Sequence, residues 1–384
     1  MDKIWKYINE VKTPILLFLI TKIFLLFVVY FGIVLFVSLR TPYYNAGPFP
    51  YNLLLDPWAR WDTGLYVNII KNWYTDLSSA AFLPLYPSLA IALNYFINDA
   101  VLSAIVVANI SLFFAVIFFY KLIKLRYADE ELAERSVFYL LIFPTSFFFS
   151  MGHTESTFIL MAILTLYYAE QKKWQLAGLF GILAGLTRST GFLIIVPVLL
   201  IYLALIKYDL KKIKTDIIPV LCITLGPLLF VAILFMSGRG PFDYVLANKA
   251  WTRNFAFPLW DIYRTAAFVF SYSIDAFLAG NYPVRALASL VLTSSALIIS
   301  IIAIFKLDMI YGIYSFLSMV FILINPAKEW LLYSDMRYII AIIPLYIFLA
   351  QYGRNKYVNY AFITCFLFFQ CIFMLYNAFG GWLQ

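Results

Sequence analysis

Charge is what this 384-residue sequence has least of: Asp, Glu, Lys and Arg make up 12% of it, about half of the roughly 25% usual in soluble domains. With 64% apolar residues and 20% aromatics, a water-soluble domain could not cover its apolar surface with so few charges. The chain therefore reads as a polytopic membrane protein. Histidine occurs once, at His153, which excludes a multi-histidine metal centre. The three cysteines, Cys222, Cys365 and Cys371, all lie within apolar segments, leaving neither a disulfide framework nor a CxxC site. DxD, GxGxxG and Walker motifs are absent, which argues against a nucleotide-dependent soluble enzyme. The net charge is +8, but the bases are scattered between apolar runs and form no stripe that nucleic acid could use. The basic start MDKIWKYINEVK leads into about 25 apolar residues without an A-x-A site, and reads as an uncleaved first span.

Apolar runs of membrane-crossing length place spans at 14–38, 101–121, 135–151, 155–170, 174–188, 191–206, 217–236, 285–305, 309–325, 338–350 and 357–379. The stretch 81–97 is ambiguous, and its crossing would reverse the side of everything after it. If it lies at the outer surface, the bases Lys3, Lys6, Lys12, Lys121, Lys124, Arg126, Arg135, Lys172, Lys173, Lys207, Lys211, Lys212, Lys214, Lys306, Arg354 and Lys356 all fall on the cytosolic side, as the positive-inside rule requires. The expected organisation is one integral domain, 1–384, all-α. An external loop at 39–100 would be joined on the same face by loops 237–284 and 326–337 and by the turns GHTES (152–156) and TRSTG (187–191).

Four motifs resemble the PIG-V family, the second mannosyltransferase of GPI-anchor assembly and its prokaryotic relatives. They are WARWDTGLYVNIIKNWY with AAFLPLYPSL, LIFPTSFFFSMGHTES, KKWQLAGLFGILAGLTRSTGFL and DMRYIIAIIPLYIFLA. They occur in the family's order and cover roughly 58–200 and 335–350; His153 is a departure from the pattern. The resemblance implies a GT-C glycosyltransferase, a polytopic helical bundle of about 11 transmembrane helices plus external juxtamembrane helices. It further implies a polyprenyl-phosphate sugar donor, a lipid-linked or glycan acceptor and a site on the non-cytosolic face. The membrane would be the plasma membrane in a prokaryote or the endoplasmic reticulum in a eukaryote. No cofactor, metal or nucleic-acid partner is expected.

Transfer from a lipid-phosphate sugar needs one base to deprotonate the acceptor. It needs no strong acid, because a phosphomonoester leaves as a stabilised anion. Asp62, in Trp58-x-x-Trp61-Asp62-x-x-x-Tyr66, is the expected base, against the alternatives of a helix cap or a partner for Arg60. Asp56, before Pro57, suits a turn. Glu155 is the second catalytic candidate, expected with His153 to face the cleft and hold sugar hydroxyls or position Asp62. The ordinary alternative is first-turn helix chemistry with Thr154 as cap. Arg188 and Arg337 are costly at membrane depth unless they meet a cavity or a partner, and a lipid phosphate is such a partner. Arg253, Lys249 and Arg264 are weaker candidates, and Lys22 reads as snorkelling. Trp61, Tyr66, Tyr86 and Trp251 are expected sugar or lipid contacts. The rival functions are a flippase for lipid-linked sugars, which would favour inverted repeats, and a ligase using diphosphate-linked oligosaccharide.

Overall fold

A computed structural model describes residues 10–36 and 52–383. Lys3, Lys6 and the 39–51 part of the expected external loop thus lie outside the described residues. Those residues form helices, short 3-10 turns and loops, with one isolated antiparallel bridge between Arg253 and Ala327. Besides the short helices Ile218–Leu221 and Ile274–Leu278, the helices are α1 (Lys12–Leu35), α2 (Thr63–Asn72), α3 (Leu85–Ile97), α4 (Ala100–Tyr127), α5 (Glu130–Ile142), α6 (Glu155–Glu170), α7 (Trp174–Gly185) and α8 (Ile195–Leu205). After them come α9 (Leu225–Met236), α10 (Asp243–Ala250), α11 (Trp260–Phe270), α12 (Val284–Lys306), α13 (Met309–Leu323), α14 (Asp335–Tyr338), α15 (Ile343–Tyr352) and α16 (Lys356–Ala378).

Among the described residues five segments are long and apolar enough to cross a bilayer alone: α1, α4, Thr215–Met236 (which ends in α9), α12 and α16. All but α4 expose most of their apolar side chains, as helices bathed in lipid should. The core is built instead from short helices. α6 and α15 are buried on nearly every face. At 1.5 Å per residue, α6, α7 and α13 are only about 24, 18 and 22 Å long, less than a hydrocarbon core of about 30 Å. They reach one face of the bundle and stop short of the other, leaving a recess.

The face they reach carries the basic turns. Asp99, Asp129, Asp308 and Asn355 each accept backbone N–H bonds at the start of α4, α5, α13 and α16, which fixes where these helices begin. At the basic end Arg126 reaches Glu170 (3.0 Å) and Asp308 (2.6 Å), while Arg354 pairs with Asp129. The Arg126 bonds tie the ends of α4 and α6 to the start of α13, and the Arg354 bond ties the end of α15 to the start of α5. The recess lies at the opposite end.

Two of the expected spans are interrupted. The 135–151 run ends as α-helix at Ile142, because Pro144 forces Phe143 into an extended conformation (φ −54°, ψ 144°); a 3-10 turn, Ser146–Ser150, continues it. The 338–350 run breaks at Ile342, before Pro344, so that α15 is a separate ten-residue helix. Tyr86 and Asn94 of α3, about 12 Å apart along their helix, bond to the adjacent residues Ala104 and Ser103 of α4. Helix α3 therefore lies across the end of α4, over the recess face.

Candidate active site

The recess is floored by the ends of the short helices. Glu155 opens α6, and its negative charge in the first turn suits the helix N-terminus. Arg188 follows α7 in an extended conformation. Gly191 lets the next turn fold back onto α7: a Cβ there would lie 2.2 Å from the Ala184 carbonyl oxygen. Arg337 comes from α14. The segment carrying Asp62 docks onto the GHTES turn, with the Gly152 N–H donating to the Trp58 carbonyl (2.9 Å). A Cβ on Gly152 would strike Thr63 at 2.6 Å, so the small residue is what allows the approach.

These contacts bring the sequence-separated charges into one chain of bonds. Arg337 donates to Asp62 through Nη1 (2.5 Å), and its Nε lies 3.2 Å from Glu155 Oε1. Arg188 Nη1 meets the same Glu155 oxygen at 2.6 Å. The guanidiniums of Arg188, Arg253 and Arg337 all stand over the Tyr338 ring, 4.7, 5.3 and 5.2 Å from its centre, in cation–π range. Arg253 bonds only to neutral oxygens, the Asn325 carbonyl and the Tyr338 hydroxyl (both 2.9 Å). Among the described residues two carboxylates are shared among three guanidiniums, an excess of one positive charge that favours an anion.

Three larger hollows meet this cluster. A polar cavity of about 130 Å³ is lined by Arg188, Arg253 and Arg337 with Tyr66, Tyr338 and Asn325. An apolar groove of about 440 Å³, walled by Phe192, Pro227, Phe230 and Phe321, shares Arg253, Asn248 and Asn325 with it. A third cavity, of about 80 Å³ and lined by Asp62, Trp251 and Tyr333, adjoins the polar one and shares Arg253, Arg337 and Tyr338 with it. Asp62 is the sole carboxylate on the walls of these three hollows among the described residues.

The Asp62 side chain caps no helix, and Arg60 is taken by Asp56, with which it forms a buried pair. Both ordinary explanations of Asp62 are thereby removed, and Asp56 opens the 3-10 turn Asp56–Trp58, as expected, while also pairing with Arg60. Burial pushes the Asp62 carboxyl up, but Arg337, with His153 and Arg188 behind it, outweighs burial and holds it below the usual carboxylate range. It stays ionised, as a proton acceptor must.

Other expectations are corrected. Glu155 and His153 do not face the cleft. Each is 1% exposed and lines none of the three hollows, because the arginines stand in front of them. Glu155 is a counter-charge that sets the two guanidiniums. His153 contacts the Arg60 carbonyl through Nε2 (3.1 Å), and its buried Nδ1 is 4.0 Å from Glu155 Oε2; burial lowers its pKa despite the nearby carboxylates. Tyr86 is fully buried, donating to the Ala104 carbonyl (2.9 Å), so it packs behind Tyr66 and lines none of the three hollows. Trp61 donates Nε1 to Asn377 (2.9 Å), facing the C-terminal segment. Arg264 staples Asp261 to the carbonyls of Ala327, Lys328 and Trp330, and lies outside the site. Lys22 donates to Ser150 instead of snorkelling, and Lys249 lines the apolar groove. Sequence reasoning passed over Tyr333, Tyr338, Asn248 and Asn325; only Tyr338, beside Arg337, carried a signal. Among the described residues no three His, Cys, Asp or Glu side chains stand close enough to hold a metal ion.

No family model matches the chain. Over 144 residues it is 29% identical to GPI mannosyltransferase 2 of Schizosaccharomyces pombe, a match spanning 37% of this chain and 31% of that protein. The chain resembles a mannosyltransferase. This agrees with the PIG-V resemblance carried by the four motifs. A crystal structure of the Archaeoglobus fulgidus oligosaccharyltransferase, complexed with zinc and sulfate, aligns with 92% of this chain and 52% of that one at a TM-score of 0.41 and 14% identity.

Proposed function

We propose that the protein is an inverting membrane glycosyltransferase of GT-C type that moves mannose from a polyprenyl phosphate to a hydroxyl acceptor. One observation carries this reading: an apolar groove opens into a three-arginine pocket, and a lone carboxylate stands beyond it. The prenyl chain occupies the groove beside Phe192 and Phe230, and the phosphate is gripped by Arg253 and Arg188. The sugar extends past Tyr338 toward Asp62. The acceptor oxygen attacks the anomeric carbon while the bond from that carbon to the phosphate oxygen breaks. The acceptor proton goes to the Asp62 carboxylate, and polyprenyl phosphate leaves as an anion stabilised by the guanidiniums. A single displacement inverts the anomeric centre.

With the basic turns cytosolic by the positive-inside rule, the recess faces the non-cytosolic side. The deciding experiment incubates the purified protein in vesicles with polyprenyl-phosphate-[³H]mannose and a crude glycolipid fraction. Label transferred to an acceptor supports the reading. Movement of the donor across the vesicle without transfer favours a flippase, and transfer from diphosphate-linked donors alone favours a ligase.

A further inference from the structure

We propose that the loop 207–214, together with the turn carrying Lys172 and Lys173, is a binding site for the anionic phospholipid headgroups of the cytosolic leaflet. The site is independent of the sugar-transfer chemistry; only the leaflet it meets follows from the topology.

Helices α6 and α8 end in the same way. The Lys173 N–H reaches back to the Tyr168 carbonyl (2.9 Å) and the Tyr208 N–H to the Leu203 carbonyl (2.8 Å), a cap that needs a left-handed residue just before the donor. Glycine fills that position with least strain, yet lysine stands there both times, Lys172 (φ 61°) and Lys207 (φ 55°). A cation suits the negative end of a helix, which accounts for one lysine at each helix end. It does not account for Lys211, Lys212 and Lys214, which belong to the loop.

Tyr202 joins the two turns. Its ring packs edge-on against Trp174, the residue after Lys173 (5.0 Å). Its hydroxyl donates to Asp216 (2.6 Å) and accepts from the Lys214 N–H (3.1 Å). Six exposed lysines are thereby gathered where the chain leaves and re-enters the membrane, with Lys214 directly before the apolar span Thr215–Met236. Asp209, which pairs with Lys212 (3.3 Å), and the Tyr202-bound Asp216 offset two of the six, leaving an excess of four positive charges among the described residues. Elsewhere on this face the arginines are matched: Arg126 by Glu170 and Asp308, Arg135 by Glu131 and Arg354 by Asp129.

The apolar side chains of the loop select among anionic partners. Tyr208, Leu210 and Ile213 alternate with the lysines and are 53, 67 and 40% exposed, continuous with the exposed Leu205 and Ile218 of the flanking helices. At headgroup level they enter the acyl boundary while the ammonium groups stay among the phosphates. A nucleic acid or an acidic protein would match the charge and leave these side chains in water. The loop joins α8, which follows Phe192, to the span carrying Pro227 and Phe230, so a bound headgroup ties together the helices behind two walls of the apolar groove.

The test titrates the full-length protein in dodecyl maltoside with phosphatidylglycerol and phosphatidylcholine and counts retained lipid by native mass spectrometry. A lysine near an anionic surface is worth about fivefold in affinity, so the wild type should favour phosphatidylglycerol by about tenfold or more, and less in high salt. The combined variant Lys207→Gln, Lys211→Gln, Lys212→Gln and Lys214→Gln should lose the preference. Arginine at the same four positions should keep it, which separates charge from a folding defect, and so should Lys306→Gln with Lys356→Gln elsewhere on the basic face. Equal retention of the two lipids by the wild type would overturn the proposal, as would a preference that survives the glutamines. Displacement of the lipid by equimolar glycerol phosphate would assign the site to a soluble phosphate instead, and displacement by equimolar polyglutamate would assign it to an acidic protein; either result refutes a headgroup site.

Discussion

Asp62→Asn and Glu155→Gln remove one charge each from the same chain of bonds, and the structure assigns them opposite consequences. Asp62 lines the cavity, with its side chain 17% exposed and one oxygen 2.5 Å from Arg337. Asparagine fills the same space and cannot take a proton. Loss of general-base assistance is typically 10²–10⁴-fold, or about 3–5 kcal/mol on the barrier. Folding should change little, because Arg337 keeps Glu155 at 3.2 Å. Glu155 is buried at 1% against both Arg188 and Arg337, and glutamine there leaves two guanidiniums without a shared counter-charge. Breaking a buried pair costs about 3–5 kcal/mol, so this variant should melt several degrees lower, and its activity should fall through loss of donor affinity. The assay is mannose transfer by purified wild type and both variants, with thermal melting alongside. Near wild-type turnover in a folded Asp62→Asn protein would refute the base assignment. Unaltered melting of Glu155→Gln would refute the counter-charge role. Because Asp62 is held below the usual carboxylate range, the acid limb of kcat/KM should lie below about pH 4.

Arg253→Ala should raise the donor KM by about ten- to a hundredfold, the worth of a charge-assisted bond, while melting stays near wild type, since its partners are neutral oxygens. Arg188→Lys should also raise it, because lysine keeps the charge and loses the planar fork; unchanged donor titrations in both variants would place the phosphate elsewhere. Asp335 is pushed up to about 8 by burial, with Asp261 adding to the rise and Arg253 opposing it. A raised folded-state pKa stabilises below the unfolded value near pH 4 and is lost as pH rises toward 8. The wild-type melting temperature should therefore fall across that window and Asp335→Asn should flatten the fall, whereas parallel melting profiles would count against it. In a cysteine-free background, a cysteine at Asn72 should react with an impermeant thiol reagent on intact cells and one at Lys212 should not; the reverse pattern would invert the topology.

The sequence by itself determined the solvent and the chemistry. Long apolar runs with few charges can be buried only in lipid, and Arg188 and Arg337 at membrane depth can persist only beside a partner or a cavity. Asp62 and the arginines were therefore legible as charges that needed an explanation. Their neighbours were not. Glu155 reads equally as a cleft residue or a buried counter-charge, because a helix N-terminus accepts an acid in either case, and only the position of the two guanidiniums in front of it decides. Local geometry was legible where proline enforces it, as at Pro144, but only in hindsight, since an apolar run containing proline is compatible with both a kinked span and a broken one. The adjoining hollows that share Arg337 and Tyr338, and the gathering of Trp61, Trp330, Tyr333 and Trp382, join residues up to 321 positions apart (61 against 382). Periodicity reports which face of a helix is apolar, but it carries no record of which distant segment will cover that face. Packing alone settles that.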